Sequence, residues 1–397
     1  MWPDFAVPFL SVAEMVGLVL AGFLFFRSRD NSMAEAAAYA LFLPLMAFSF
    51  SFRIAFITGW LWMALTLETG MIALAGYGIY RFKSQLRPLC KEIINFIKSH
   101  PLATAVLAAG WLLLANKALI IDTAFQCRQS PLSFADPGNP DLLCYFWNRF
   151  SEYHGYGLFG FMAYLTIAFA TYALARRYAW PPTAITVTVI VVSMPRLVYL
   201  ATATGTEILT AAAAVFSVLA IYRTIEQPNA RDLVLVLWGI LFGISGQMLS
   251  VVFPIILVPL GLLLMYRRHG FQSWWAIVKR QRLKAGLALV PVLIFSQMSW
   301  LVKKFAGGAT GTIRPDFETP PLNPDGITGA LANMGRYLLE SIHLTQLIER
   351  VSQWVFDLSP VAWFQRVHDG PMASLFADQG AVEPFKIVWA TGTDLSW

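Results

Sequence analysis

Hydrophobic and polar positions follow one another along this chain in long blocks. Apolar runs at 10–26, 36–57, 60–80, 102–121, 158–174, 181–201, 207–222, 233–265 and 287–301 are separated by short polar connectors. A bilayer core takes roughly 20 apolar residues in a helix, so each run predicts a membrane-spanning α-helix. The stretch 233–265 is long for one crossing: as a straight helix it would measure about 50 Å at 1.5 Å per residue. Gly243 to Gln247 (GISGQ) and Pro254 are places to break it, into either two short spans or one strongly tilted one. The connector 81–100 is partly periodic (LCKEIINFIK) and predicts a short surface helix. After 303 the pattern changes. GGATGTIRPDFETPPLNPDG reads as irregular loop, and 333–354 regains a helical period through Leu338, Leu339, Ile342, Leu347, Ile348 and Val351. No internal repeat is evident.

Composition agrees with this pattern. Hydrophobic residues make up 57% and charged residues 13% of the 397, well under the share near 25% of soluble domains. Charge then decides the topology. Lys and Arg crowd alternate connectors (27–34, 81–100, 176–180, 223–231 and 267–284), which hold 17 of the 29, whereas the loop 122–156 holds only Arg128 and Arg149. These five connectors share a side only if 233–265 crosses twice. The positive-inside rule therefore predicts an all-α polytopic membrane protein of about ten transmembrane helices, with its N-terminus outside. The loop 122–156 and the tail are extracytoplasmic in this reading, and the protein lies in the plasma membrane. The net charge of +6 is accounted for by this asymmetry rather than by nucleic-acid binding. The N-terminus has no basic segment or cleavage motif of a cleaved signal peptide. Three regions follow: 1–101, three spans and a basic connector; 102–301, a membrane core including the polar loop; and 302–397, an extracytoplasmic segment.

Candidate chemistry concentrates in 122–156 (DTAFQCRQSPLSFADPGNPDLLCYFWNRFSEYHGY). Cys127 and Cys144 are 17 positions apart and read either as a disulfide or as two buried thiols, while Cys90 is on the cytoplasmic side. Asp141, Tyr145 and Arg149 recur every four residues, so a helix would place them on one face. There a carboxylate accepts a proton from an acceptor hydroxyl and an arginine holds a phosphate. The same spacing also suits an interface helix anchored by its aromatics. Glu152 and His154 read as acid/base groups or as ligands for a divalent cation. Asp122, Arg196 and Glu207 stand at span ends, where they line the mouth of a cavity or, for Arg196 and Glu207, form a structural pair. Asn116 and Lys117 are costly in lipid unless paired or snorkelling. Walker loops, dinucleotide fingerprints, nucleophile elbows, HExxH and CxxC are all lacking, so no firm cofactor is implied.

From 102 to 397 the plan resembles bacterial membrane glycosyltransferases of the GT-C superfamily, those related to protein O-mannosyltransferases and lipid A sugar transferases. The resemblance is carried by PDLLCYFWNR, whose Asp141, Tyr145 and Arg149 fall in step with that family's Asp, Tyr and Arg, with one slip before the last. It is also carried by Pro195 followed by Thr206-Glu207. Phe146, Asn148 and Glu207 stand where the family has His, Pro and a second Asp, which marks a divergent relative. Many members carry further spans after the region resembling GTDLSW. The resemblance implies transfer of a sugar from a polyprenyl-phosphate donor to a lipid, glycan or protein acceptor on the outer face. Asp141 would be the general base or position the acceptor, Glu207 would line the donor site, and Arg149 or Arg196 would engage the lipid phosphate. Implied partners are the lipid-linked sugar, membrane lipid and a further membrane protein. Two other classes fit the residues. A transporter or lipid flippase would use Lys117, Arg196, Glu207 and the broken 233–265 stretch, and a non-catalytic accessory subunit would keep only the fold.

Overall fold

The computed structural model describes residues 6–29, 31–58, 61–99, 101–120, 143, 157–202, 206–246, 252–280 and 354. Eleven α-helices are delimited among them: α1 (Ala6–Arg27), α2 (Met33–Thr58), α3 (Leu61–Arg81), α4 (Leu86–Ser99), α5 (Pro101–Ile120), α6 (Gly157–Tyr178), α7 (Pro181–Val192), α8 (Pro195–Thr202), α9 (Thr206–Glu226), α10 (Ala230–Gly246) and α11 (Val252–Arg280). The described residues contain no strand. Among the described residues, three helical segments are long and apolar enough to cross a membrane: Met33–Ala55, Gly157–Tyr178 and Glu207–Glu226. The chain divides into two compact units, 1–193 with 197–309 and 194–196 with 310–397, and nearly all the described residues belong to the first. The expected span 287–301 and the tail helix, apart from a helical Trp354, lie outside the described residues.

Element limits sharpen in three places. The stretch 233–265 falls in two helices, α10 ending at Gly246 and α11 beginning at Val252, in line with the break that the charge pattern favoured. α11 then continues 15 residues beyond 265, through the basic segment expected to be a connector, and turns at Gly270, whose φ of 70° favours glycine. The segment 181–201 is broken as well. Pro181 and Pro182 open α7 with Trp180 extended at its N-cap, as the missing N–H of proline allows. α7 stops after 12 residues, because Pro195 has no N–H to donate to a helical carbonyl and disfavours the helical conformation at Met194. The short α8 starts at that proline.

α2, α6 and α9 form the centre, α2 packing on both others. α1 and α3 flank α2, α5 and α7 flank α6, and α10 and α11 flank α9. An aromatic spine runs through this centre. Phe42 stacks on Phe216 at 4.3 Å between centroids and meets Phe242 edge-on at 5.2 Å, while Tyr39 lies 5.4 Å from Phe216 and 5.0 Å from Phe26. Small residues let the backbones approach: Ala36, Ala38, Ala40, Ala212, Ala213 and Ala220 are all buried. The outward faces are apolar too. Ile72 and Leu74 on α3, Leu112 and Leu113 on α5, Ile185 and Ile190 on α7, and Ile256, Leu260 and Leu263 on α11 are exposed, as suits contact with lipid.

A glycine packed tightly against a neighbouring helix gives a packing test. A Cβ added at Gly239 on α10 would lie 2.5 Å from Ser217 Oγ and 2.8 Å from Phe216 Cδ1 on α9. Ser217 Oγ already donates to Ala213 O at 2.7 Å. Gly239→Val is therefore expected to cost about 1–3 kcal/mol by overpacking, read as a lowered unfolding transition in detergent. Gly110→Ala, where an added Cβ meets nothing within 4 Å, is the control and should leave that transition in place.

Candidate functional site

The conspicuous polar chemistry of the described residues lies at one pole of the bundle, where α1, α3, α6 and α9 end and α2 and α10 begin. It starts from a capping box at the head of α2: the Ser32 N–H donates to Glu35 Oε2 at 2.8 Å and the Glu35 N–H donates to Ser32 Oγ at 3.3 Å. The preceding turn is tied by Asn31 Nδ2 to Phe26 O at 2.6 Å and by Arg27 Nη1 to Asn31 O at 2.9 Å. The capping geometry aims the Glu35 carboxylate between the ends of α6 and α9.

Two guanidinium groups meet it there. Arg177 Nη2 of α6 binds Glu35 Oε1, and Arg223 Nη1 of α9 binds Glu35 Oε2 at 3.3 Å. Through Nη1, Arg177 also binds Glu226 Oε2, and its guanidinium lies 4.6 Å from the centroid of the Tyr222 ring. At the head of α10, Arg231 Nε binds the buried Asp232 at 2.8 Å. Three carboxylates thus face three guanidinium groups at this pole. The side chain of Glu35 is 4% exposed, that of Arg223 9% and that of Arg177 13%. Charges withdrawn so far from water persist only with partners, and here each carboxylate has one or more. Tyr39 lies among Glu35, Asp232, Arg177 and Arg223, its hydroxyl buried without a hydrogen bond. His269 of α11 closes the arrangement, its Nε2 2.6 Å from Ile225 O at the end of α9.

Chemically this pole is a junction. Both oxygens of Glu35 are engaged, and the carboxylates are matched by arginines rather than by groups suited to a cation. Among the described residues no cluster of three or more His, Cys, Asp or Glu forms a metal site. The sequence treated Arg177 and Arg223 as connector charges and passed over Glu35. The available signal was Ser32-x-x-Glu35 directly before an apolar run, the pattern of a helix start whose acid is held in place.

The opposite pole receives the polar loop. α5 begins beside α4 and runs away from the junction, Trp111 packing edge-on against Phe169 of α6 at 5.9 Å, so Ile120 and Gly157 both lie at the far end. α9 begins there as well, with an exposed Glu207 in its first turn. Within the loop, Leu143 is helical and fully buried, and it belongs to the same hydrophobic cluster as Phe48, Phe159 and Ile208. Asp122, Asp141, Tyr145, Arg149, Glu152 and His154 lie outside the described residues, as do Cys127 and Cys144, and the side chains of Asn116, Lys117 and Arg196 are likewise not described. Cys90 is a free, exposed thiol. Arg53 of α2 and Glu68 of α3, both buried, each hold a partner.

No protein-family model matches the chain, and no curated protein or solved structure matches it.

Proposed function

We propose that this chain is a ten-span glycosyltransferase of the GT-C kind, set in a bacterial plasma membrane, that moves a sugar from a polyprenyl-phosphate donor to an acceptor at the extracytoplasmic face. The observation that carries the reading is Leu143. Its complete burial in the bundle core anchors the chain to the helices at that one position, two residues along the chain from Asp141. The exposed Glu207 adds a carboxylate open to a ligand at the pole where that loop leaves and re-enters the bundle. Glu35, by contrast, is fully committed to arginines at the other pole.

The chemistry asked of these residues is modest. A phosphate-linked sugar is already activated, so the protein has to place the acceptor, take its proton and stabilise the departing phosphate. In this reading Asp141 takes the proton or orients the hydroxyl. Arg149 or Arg196 meets the phosphate oxygens, and Glu207 and Asp122 line the donor site. One displacement inverts the anomeric centre. The purified chain in lipid discs, given a polyprenyl-phosphate sugar and a hydroxyl acceptor, is expected to form product with the inverted anomeric configuration, seen in the proton coupling of the new linkage. Retention, or no product with any polyprenyl-phosphate sugar tried, would remove the proposal.

A further inference from the structure

α4 stands apart from the bundle. From Cys90 to Ser99 every residue whose side chain is described is exposed, including Ile93 at 43%, Ile94 at 48% and Ile97 at 43%. The exposure is ordered by the helix. At 3.6 residues per turn, Leu86, Leu89, Cys90, Ile93, Ile94 and Ile97 share one arc of about 140°. Arg87, Lys91 and Lys98 fall together within about 40° on one flank of it, beside Ile94. Glu92 lies on the other flank, where Arg27 Nη2 of α1 holds it at 3.7 Å. Among the described residues no acidic group faces the three basic ones.

The surroundings say what covers this face. α4 joins α3 to α5, and both expose apolar side chains, Leu74 and Tyr77 on one and Leu112 and Leu113 on the other. The apolar arc of α4 thus continues a lipid-facing belt. Tyr80, Tyr178, Trp180 and Tyr266 are all exposed at this same pole, where amphipathic rings sit at headgroup level. Arg81 and Lys83, also exposed, extend the positive charge to the turn before α4.

We propose that α4 is an interfacial lipid-binding helix, with Ile93, Ile94 and Ile97 seated at the acyl boundary of the adjacent leaflet and Arg87, Lys91 and Lys98 binding anionic phospholipid headgroups. The three basic side chains lie at the edge of the apolar arc, at the height where long cationic chains reach lipid phosphates while their stems stay in the apolar layer. The Glu92–Arg27 pair turns the acidic flank toward α1 and leaves the basic edge free for the leaflet.

Cys90 supplies the probe, because it lies in the apolar arc. The full chain is placed in discs of phosphatidylcholine, with or without phosphatidylglycerol. Uncharged, water-soluble iodoacetamide is added, and modification is followed by peptide mass spectrometry at Cys90 and, in a Ser99→Cys variant, on the polar flank. Phosphatidylglycerol is expected to slow reaction at Cys90 by about a hundredfold relative to position 99, the factor that three basic contacts together supply. Raised salt should reverse the protection in the unaltered chain, as should the triple variant Arg87→Gln, Lys91→Gln, Lys98→Gln. Equal rates in the two lipids would overturn the proposal, as would equal protection in both. Protection that rises with the number of protein copies per disc would assign the face to a protein contact instead.

Discussion

Glu35→Gln is expected to cost about 3–5 kcal/mol of stability, the range for removing one partner of a buried ion pair. The carboxylate is engaged by arginines from two other helices and lies deep among them. The amide keeps the shape and one acceptor oxygen, so packing changes little. What is lost is the charge that balances Arg177 and Arg223 away from water. Arg177 retains Glu226, so the strain falls mainly on the Arg223 side of the junction. Unfolding of the purified protein in mild detergent, by heat or by added SDS, reads the effect. Pairing Glu35→Gln with Arg223→Gln should return part of the loss, since both unbalanced charges then go together. A loss below about 1 kcal/mol for Glu35→Gln would put the network in the class of exposed ion pairs and sink the assignment.

Asp141→Asn is expected to lower sugar transfer by about two to four orders of magnitude, the usual contribution of a positioned general base. The amide is isosteric and should leave donor binding in place, so the loss belongs in kcat rather than in the KM for the lipid-linked sugar. Glu35→Gln, assayed at a temperature where it stays folded, should keep transfer near the unaltered rate. The pair of variants thus separates the junction from the proposed chemistry. Unchanged transfer in Asp141→Asn would withdraw the role given to this residue, and a raised KM with unchanged kcat would make it a binding group.

The helices were legible because apolar blocks of about 20 residues leave few other structures for a chain in lipid. The amphipathic α4 was legible from period alone. Breaks were less so: Pro195 marks the end of α7 in hindsight, but proline is tolerated within α2 at Pro44 and within α11 at Pro259, so a proline by itself does not decide. The junction was illegible for a different reason. Glu35 lies 142 residues from Arg177 and 188 from Arg223. At a helix end each looks like one more headgroup-level charge, and only the packing of α2, α6 and α9 turns them toward one another. Counting all basic connector residues as interfacial therefore overstates the charge that this pole shows to a membrane. Arg177 and Arg223 face carboxylates, whereas among the described residues Arg87, Lys91 and Lys98 of α4 have no carboxylate beside them.

The same separation bears on how the protein is made. α2 is synthesised long before its partners. At 5–20 residues per second, roughly 10–40 s pass between the appearance of Glu35 and that of Arg223. For about the first three quarters of that interval, until Arg177 is made, the head of α2 has its capping serine but neither arginine, and a lone carboxylate is disfavoured away from water. α2 therefore has reason to wait with Glu35 at the membrane surface until α6 and α9 arrive, and the closing of the junction marks the point at which the central helices have all been delivered.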